Sequence, residues 1–203
     1  MRKLINLFVF ISAIVYPQQI TLSNQAAIDL CNIFDIKEGI VDILWLEVDK
    51  LWHLGRYEKI FPVINLIAEI YPTEIEAYSV GSWFLINGIA PRVKGEKKGE
   101  IKNYAISFLK KGIRKNPENY KLYWELAWIY YRDGKYDTSL QYLEKAEKYP
   151  HEFVVENLKA HIFMKKGERE KAIREWKKIK EKYPEQKNIA ERFIKKLERE
   201  NDS

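Results

Sequence analysis

Apolar and polar positions alternate with a helical period through most of this chain. From Tyr120 to Pro150 the segment YKLYWELAWIYYRDGKYDTSLQYLEKAEKYP places Leu126, Ala127 and Tyr130 on one stripe, breaks at Gly134, and resumes with Ser139, Leu143 and Ala146. Spacings of three and four residues with polar residues between them mark two amphipathic helices joined by a tight turn. The same alternation continues on both sides and predicts about ten helices and no sheet. Near the N-terminus, Ser23 or Asn24 can cap a helix through Ile33, and Ile36 to Glu38 can start another. At the other end Ile189, Phe193, Ile194 and Leu197 share one face, covered outside by Glu191, Arg192, Lys195, Lys196 and Glu198. Only Leu4 to Tyr16 departs from the pattern, being apolar almost throughout.

The helix pairs recur at a fixed interval, the signature of a repeat architecture. Residues 153–184 carry Ala160, Phe163, Gly167, Ala172, Trp176, Ile179 and Pro184 in the register set by Leu126 to Pro150. Residues 41–72 carry Val48, Leu51, Gly55, Tyr57, Ile60, Ile64, Ile67 and Pro72 in the same frame, with Pro62 inside the second helix, where it should kink it. A split copy covers 75–117: a first helix ending at Gly88, a second from about Ile101 with Ala105, Leu109, Gly112 and Pro117, and an inserted loop over 89–100.

This register resembles the tetratricopeptide repeat (TPR), a helix A, a glycine turn, a helix B and a terminal proline. The resemblance covers roughly residues 41–184 and is sharpest at 120–150. It implies an all-α, right-handed solenoid of about four helical hairpins, because one hairpin cannot bury its apolar face alone and neighbours must stack. The domain organisation expected is a leader at 1–22, a helical segment at 23–40, repeats at 41–186, and a capping helix and tail at 187–203.

In such proteins helix A lines a concave groove, and the resemblance assigns groove positions residue by residue. The first copy supplies Asp42, Trp45, Asp49, Trp52 and His53; the second Glu76, Ser79, Trp83, Ile86 and Asn87. The third supplies Lys121, Trp124, Trp128, Tyr131 and Arg132; the fourth Val154, Asn157, His161, Met164 and Lys165. Five of the six tryptophans fall in this set, with only Trp176 on a helix B. Trp, Tyr and Arg dominate binding hot spots, so Trp45, Asp49, Trp52, Trp83, Lys121, Trp124, Trp128, Tyr131, Arg132 and His161 are the candidate site, for a protein or peptide partner. Two other occupants remain open: the chain's own residues before 40 or the inserted loop, and a second copy in a homo-oligomer. The lysine–asparagine clamp that some of these proteins close on a C-terminal carboxylate is missing, since Trp45 and Asp49 occupy its positions.

Composition narrows the function further. Apolar residues make up 46% and charged residues 32%, a globular balance. One cysteine, Cys31, excludes an intrachain disulfide framework, and three histidines leave little for a metal site. No phosphate-binding glycine loop, nucleophile elbow or HExxH zinc motif is present, so the reading is a non-enzymatic scaffold without cofactor or metal. The net charge of +6 hides an asymmetry: residues 1–90 carry 6 basic and 10 acidic side chains, and 91–203 carry 29 and 19. Acidic residues interleave with the basic ones, which argues for solvated helix faces over nucleic acid. The leader itself, Met1-Arg2-Lys3 followed by about thirteen nearly uncharged positions and Pro17-Gln18-Gln19, has the form of a secretory signal, short of the roughly 20 residues of a membrane span. Its bulky exit residues make an uncleaved anchor the variant of that expectation, with membrane association through residues 1–22. The chain then reads as an exported or membrane-anchored scaffold of the cell envelope. The other reading is a subunit packed permanently in a secretion, pilus or polysaccharide apparatus.

Overall fold

The computed structural model describes residues 24–33 and 35–199; the leader over 1–22 and Ser23 lie outside the described residues. Ten α-helices and no strand occur among the described residues. The chain divides into two compact units, Met1–Asn116 and Pro117–Ser203.

The first unit holds α1 (Asn24–Ile33), α2 (Lys37–His53), α3 (Tyr57–Ile70), α4 (Ile75–Trp83) and α5 (Glu96–Lys115). Helix α2 pairs with α3, and α4 with α5; α1 packs on the first pair. Ile40, Leu44 and Leu51 of α2 are buried against Ile60, Ile64 and Ile67 of α3, which is the three-and-four spacing of the sequence turned into one core face. Pro62 sits inside α3, and the helix runs through it from Tyr57 to Ile70. The second pair is closed more tightly. Gly112 of α5 lies so near α4 that a β-carbon there would stand 2.5 Å from the Tyr78 Cγ, and Tyr78 is fully buried. The Tyr78 hydroxyl donates to the Pro72 carbonyl at 3.2 Å, and Tyr123 repeats the contact on Pro117 at 2.8 Å in the second unit.

The second unit holds α6 (Tyr120–Arg132), α7 (Tyr136–Ala146), α8 (Val154–Lys165), α9 (Arg169–Lys182) and α10 (Lys187–Arg199). Its hairpins are α6–α7 and α8–α9, and α10 closes the stack against α9. The asparagine before α6 caps it, Asn119 Oδ1 accepting from the Leu122 amide at 3.3 Å. Small residues set the spacing inside: Ala127, Ser139 and Ala146 are fully buried, and the Ser139 hydroxyl donates to the Ala127 carbonyl at 2.7 Å.

The glycine turns are one device used three times. Gly55, Gly134 and Gly167 have φ of 68°, 71° and 71°, a region costly for any residue with a β-carbon. In each, the glycine amide bonds back three residues and the next amide bonds back five: Arg56 to Leu51, Lys135 to Tyr130, Glu168 to Phe163, all at 2.9 Å. That is the Schellman arrangement, which satisfies the last carbonyls of helix A and sends helix B back alongside it.

The split pair has no such turn. Helix α4 passes into a π-helical segment Phe84–Ile89 and a 3-10 turn Ala90–Arg92. Helix α5 then starts at Glu96 after Gly95. The loop expected over 89–100 is therefore mostly helical, and its irregular part shrinks to residues 93–95. The sequence hid this because residues 96–100 are all exposed and contribute no apolar stripe, while Glu96 favours a helix N-terminus.

Candidate binding surface

In the first unit the groove positions come from α2, α4 and the π segment. Two contacts show that α2 and α4 lie side by side in the same direction. At their starts, Asp42 and Glu76 act on Glu74, whose acidity is weakened by burial first and by those two neighbouring carboxylates next. At their ends, the rings of Trp52 and Phe84 stand edge to face at 6.3 Å. Trp52 also meets Tyr57 at 5.4 Å. Exposure leaves Trp52 at 45% and Trp83 at 51%, while Trp45 is partly buried. About half of the surface of Trp52 and of Trp83 is therefore open. Asp49 and His53 are exposed, the imidazole Nδ1 lying 2.9 Å from the Asp49 carbonyl and 3.4 Å from its carboxylate. That is a contact within the last turn of α2.

One contact of this region escaped the sequence reading. Arg92, on the segment expected to be a loop, lays its guanidinium 4.4 Å over the Tyr57 ring and donates to the Gly88 carbonyl. Spacing alone could not pair them, since the π segment decides where Arg92 falls.

In the second unit Trp124, Trp128 and Tyr131 form a continuous run on α6. Trp124 and Trp128 stack at 5.9 Å with planes 15° apart, Trp128 meets Tyr131 at 5.5 Å, and Tyr131 meets Tyr136 at 5.9 Å. Trp124 is fixed by its indole N–H, which donates to the Val154 carbonyl of α8 at 3.0 Å, whereas Trp128 is 39% exposed. Lys121 is half-buried at the start of the helix and Arg132 exposed at its end. The tenth candidate, His161, sits apart from this run. Its ring stands edge-on to both Trp176 and Phe193 at 5.4 Å, and those two stack at 4.2 Å. Burial, and then Lys165, push its pKa below the ordinary value. Thus α10 draws His161 into the closing cluster of the unit.

A polar network elsewhere in this unit was also invisible in the sequence. His151 and Glu156 are nearly buried, with Nε2 to Oε1 at 3.1 Å. His151 Nδ1 lies 2.6 Å from the Tyr149 carbonyl, and Lys182 reaches Glu156 at 3.1 Å. Burial pushes the Glu156 carboxyl up, but its own backbone amide, His151 and Lys182 outweigh this and hold it below the ordinary range. Beside it lies a shallow cavity of about 450 Å³ lined by Glu147, His151, Glu156, Lys178, Glu181 and Lys182. These groups satisfy one another and tie the α7–α8 connection to α9.

Comparison with known proteins agrees with this architecture. Residues 122–151 match the tetratricopeptide repeat family model. No curated protein matches the sequence. Among solved structures, the chain is similar to TTC0263, a thermophilic TPR protein of Thermus thermophilus, with a TM-score of 0.63 at 19% identity over 86% of this chain and 90% of that one. It is also similar to YrrB, a TPR protein with an unusual peptide-binding site (TM-score 0.52, 14% identity, 76% of this chain and 74% of that one). The MamA protein is a third (TM-score 0.52, 16% identity, 77% of this chain and 89% of that one). At these identities the likeness is one of fold.

Proposed function

We propose that this chain, which carries a tetratricopeptide repeat at residues 122–151 and has the fold of tetratricopeptide-repeat proteins, holds another protein or a peptide on the aromatic faces of its A helices. The fold is that of a protein-interaction scaffold, which works by presenting surface and makes or breaks no bond. The observation that carries the reading is the exposure of Trp52, Trp83 and Trp128, at 45%, 51% and 39%, on positions that helical stacking alone would leave to polar residues. Tryptophan offers a large contact area with little rotamer entropy to lose, which is why it concentrates at binding hot spots. YrrB, a protein of the same fold, has a peptide-binding site by its description, which is in keeping with such a use.

The scaffold acts at the cell envelope, exported or held by its leader. Support for this comes from the sequence: Arg2 and Lys3 precede the apolar run Leu4 to Tyr16. No helix among the described residues is long and apolar enough to cross a membrane.

Two experiments test these statements. Cross-linking of the native protein in its own cells, followed by pull-down with the Trp124→Ala/Trp128→Ala variant, should lose the partner; full capture by the variant overturns the groove reading. Fractionation should place the chain outside the cytoplasm or on a membrane, and a soluble cytoplasmic full-length protein overturns the envelope reading.

A further inference from the structure

The first unit carries a more specific chemistry than an apolar groove, and its argument rests on the partner-groove reading above. Helices α2 and α4 run side by side from Asp42, Glu74 and Glu76 at one end to Trp52, Trp83 and Phe84 at the other. The ten residues from Asp42 to Trp52 span about 15 Å at the helical rise per residue. Every charged side chain at the groove positions of this face is acidic: Asp42, Asp49 and Glu76, joined by Glu74 at the start of α4. Of the unit's basic residues, Lys50 is held by Glu47 at 3.1 Å, Arg92 is engaged with Tyr57 at the aromatic end, and Lys97, Lys98, Lys110 and Lys115 are exposed on α5, the other helix of the second pair.

The aromatic end independently displays a taste for cations. Arg92 already rests on Tyr57 at 4.4 Å, and Tyr57 is edge-on to Trp52. The faces of an indole or a phenol attract a guanidinium or an ammonium, and Trp does so most strongly. Trp52 and Trp83, both about half exposed, repeat that chemistry where the described residues bring no further cation over them.

We propose that the face formed by α2 and α4 recognises a basic segment of a partner protein, one that carries at least two Lys or Arg side chains spaced along about 15 Å. One cation lies at the aromatic end, over the exposed indole of Trp52 or of Trp83; another meets Asp42, Glu74 and Glu76, with Asp49 between. Aromatic faces hold the segment whatever the salt, and the carboxylates choose its sign and speed its arrival.

The test uses the full chain and a short fluorescein-labelled peptide with Arg at every third position among alanines, against a twin with Glu in place of Arg. Fluorescence anisotropy at low and high salt reads both. The Arg peptide should bind at least about tenfold more tightly than its twin at low salt, an advantage that shrinks as salt rises. The Asp42→Asn/Glu76→Gln double variant should lose most of that advantage and flatten the salt dependence. Trp83→Ala should weaken the Arg peptide at every salt concentration, with its melting curve confirming an intact fold. Equal binding of both peptides, both lost in Trp83→Ala, overturns the cationic class and leaves the groove reading standing. Binding of the Arg peptide unmoved by the acid changes overturns the proposal, as does binding of neither peptide; the groove reading then rests on the partner pull-down alone.

Discussion

Glycine at position 112 and glycine at position 99 lie on the same helix, α5, and the same substitution should move stability in opposite directions. At Gly99 an added β-carbon meets nothing within 4 Å. Alanine there gains the helix-propensity difference and restricts the unfolded chain, about 0.5–1 kcal/mol of stabilisation. At Gly112 the β-carbon would meet Tyr78 Cγ at 2.5 Å, its Cβ at 2.9 Å and its Cδ1 at 2.9 Å. Tyr78 is fully buried and its Cβ keeps its place in every rotamer, so turning the side chain does not clear the clash. Helices α4 and α5 must part by roughly 1 Å, and a gap of that size forfeits up to about half of the dispersion contact along the seam. Overpacking of this kind costs up to about 3 kcal/mol; subtracting the propensity gain leaves a net loss of about 2 kcal/mol. Urea unfolding followed by far-UV circular dichroism reads both variants. With a slope of roughly 1–3 kcal/mol per molar, Gly112→Ala should lower the midpoint by about 1 M or somewhat more, and Gly99→Ala should raise it slightly. A Gly112→Ala protein as stable as Gly99→Ala would refute the close approach of α4 and α5.

Other predictions follow from the second unit. The folded pKa of His161 lies below its ordinary 6.5, so the unfolded chain takes up that proton first as pH falls; the contribution of a neutral His161 is full above about 6.5 and is lost as pH drops toward the folded value. Glu156 is likewise held below its ordinary 4.5, so its contribution is present above that value and disappears on further acidification; thermal melts across pH for wild type and His161→Phe should show the first loss only in wild type. Lys159 lies 2.7 Å from both carboxylate oxygens of Glu147, whereas Glu175 keeps Lys178 at 3.0 Å, so Lys159→Met should cost about 1.5–3 kcal/mol by denaturant titration, because it strands the partly buried Glu147 carboxylate. Trp176→Ala, at a fully buried position, should cost about 3–5 kcal/mol, whereas Trp128→Ala should cost less than about 1 kcal/mol while abolishing partner capture; comparable melting losses in the two would place Trp128 in the core instead.

Much of this was legible in the chain. Leu126, Tyr130, Leu143 and Ala146 announce the α6–α7 hairpin because a periodic apolar stripe can be buried in only one way, and Gly134 announces its turn because the left-handed conformation excludes most other residues. The contrast between tryptophans was partly legible: Trp176 of helix B is fully buried and Trp52, Trp83 and Trp128 of the A helices are exposed, but Trp45 and Trp124, also of A helices, are partly buried. Less legible were residues 96–100, polar on every side and so without a stripe to betray their helix, and His161, a groove position by register that Phe193 of α10 covers.

What the sequence determined by itself is therefore everything that depends on near neighbours: the helices, the glycine turns, the hairpin register and the helix-A origin of the tryptophans. These are set within one or two turns of backbone, where spacing and φ preferences act directly. Only the tertiary structure decided which residues far apart in the chain touch. It set Arg92 on Tyr57 by way of a π-helical segment, gathered Asp42, Glu74 and Glu76 at one end of the A helices, and closed the nearly buried His151 and Glu156 under an exposed Lys182. Such contacts depend on distances between helices, and those are fixed by side-chain volumes and close approaches such as Gly112 to Tyr78, which no periodicity encodes.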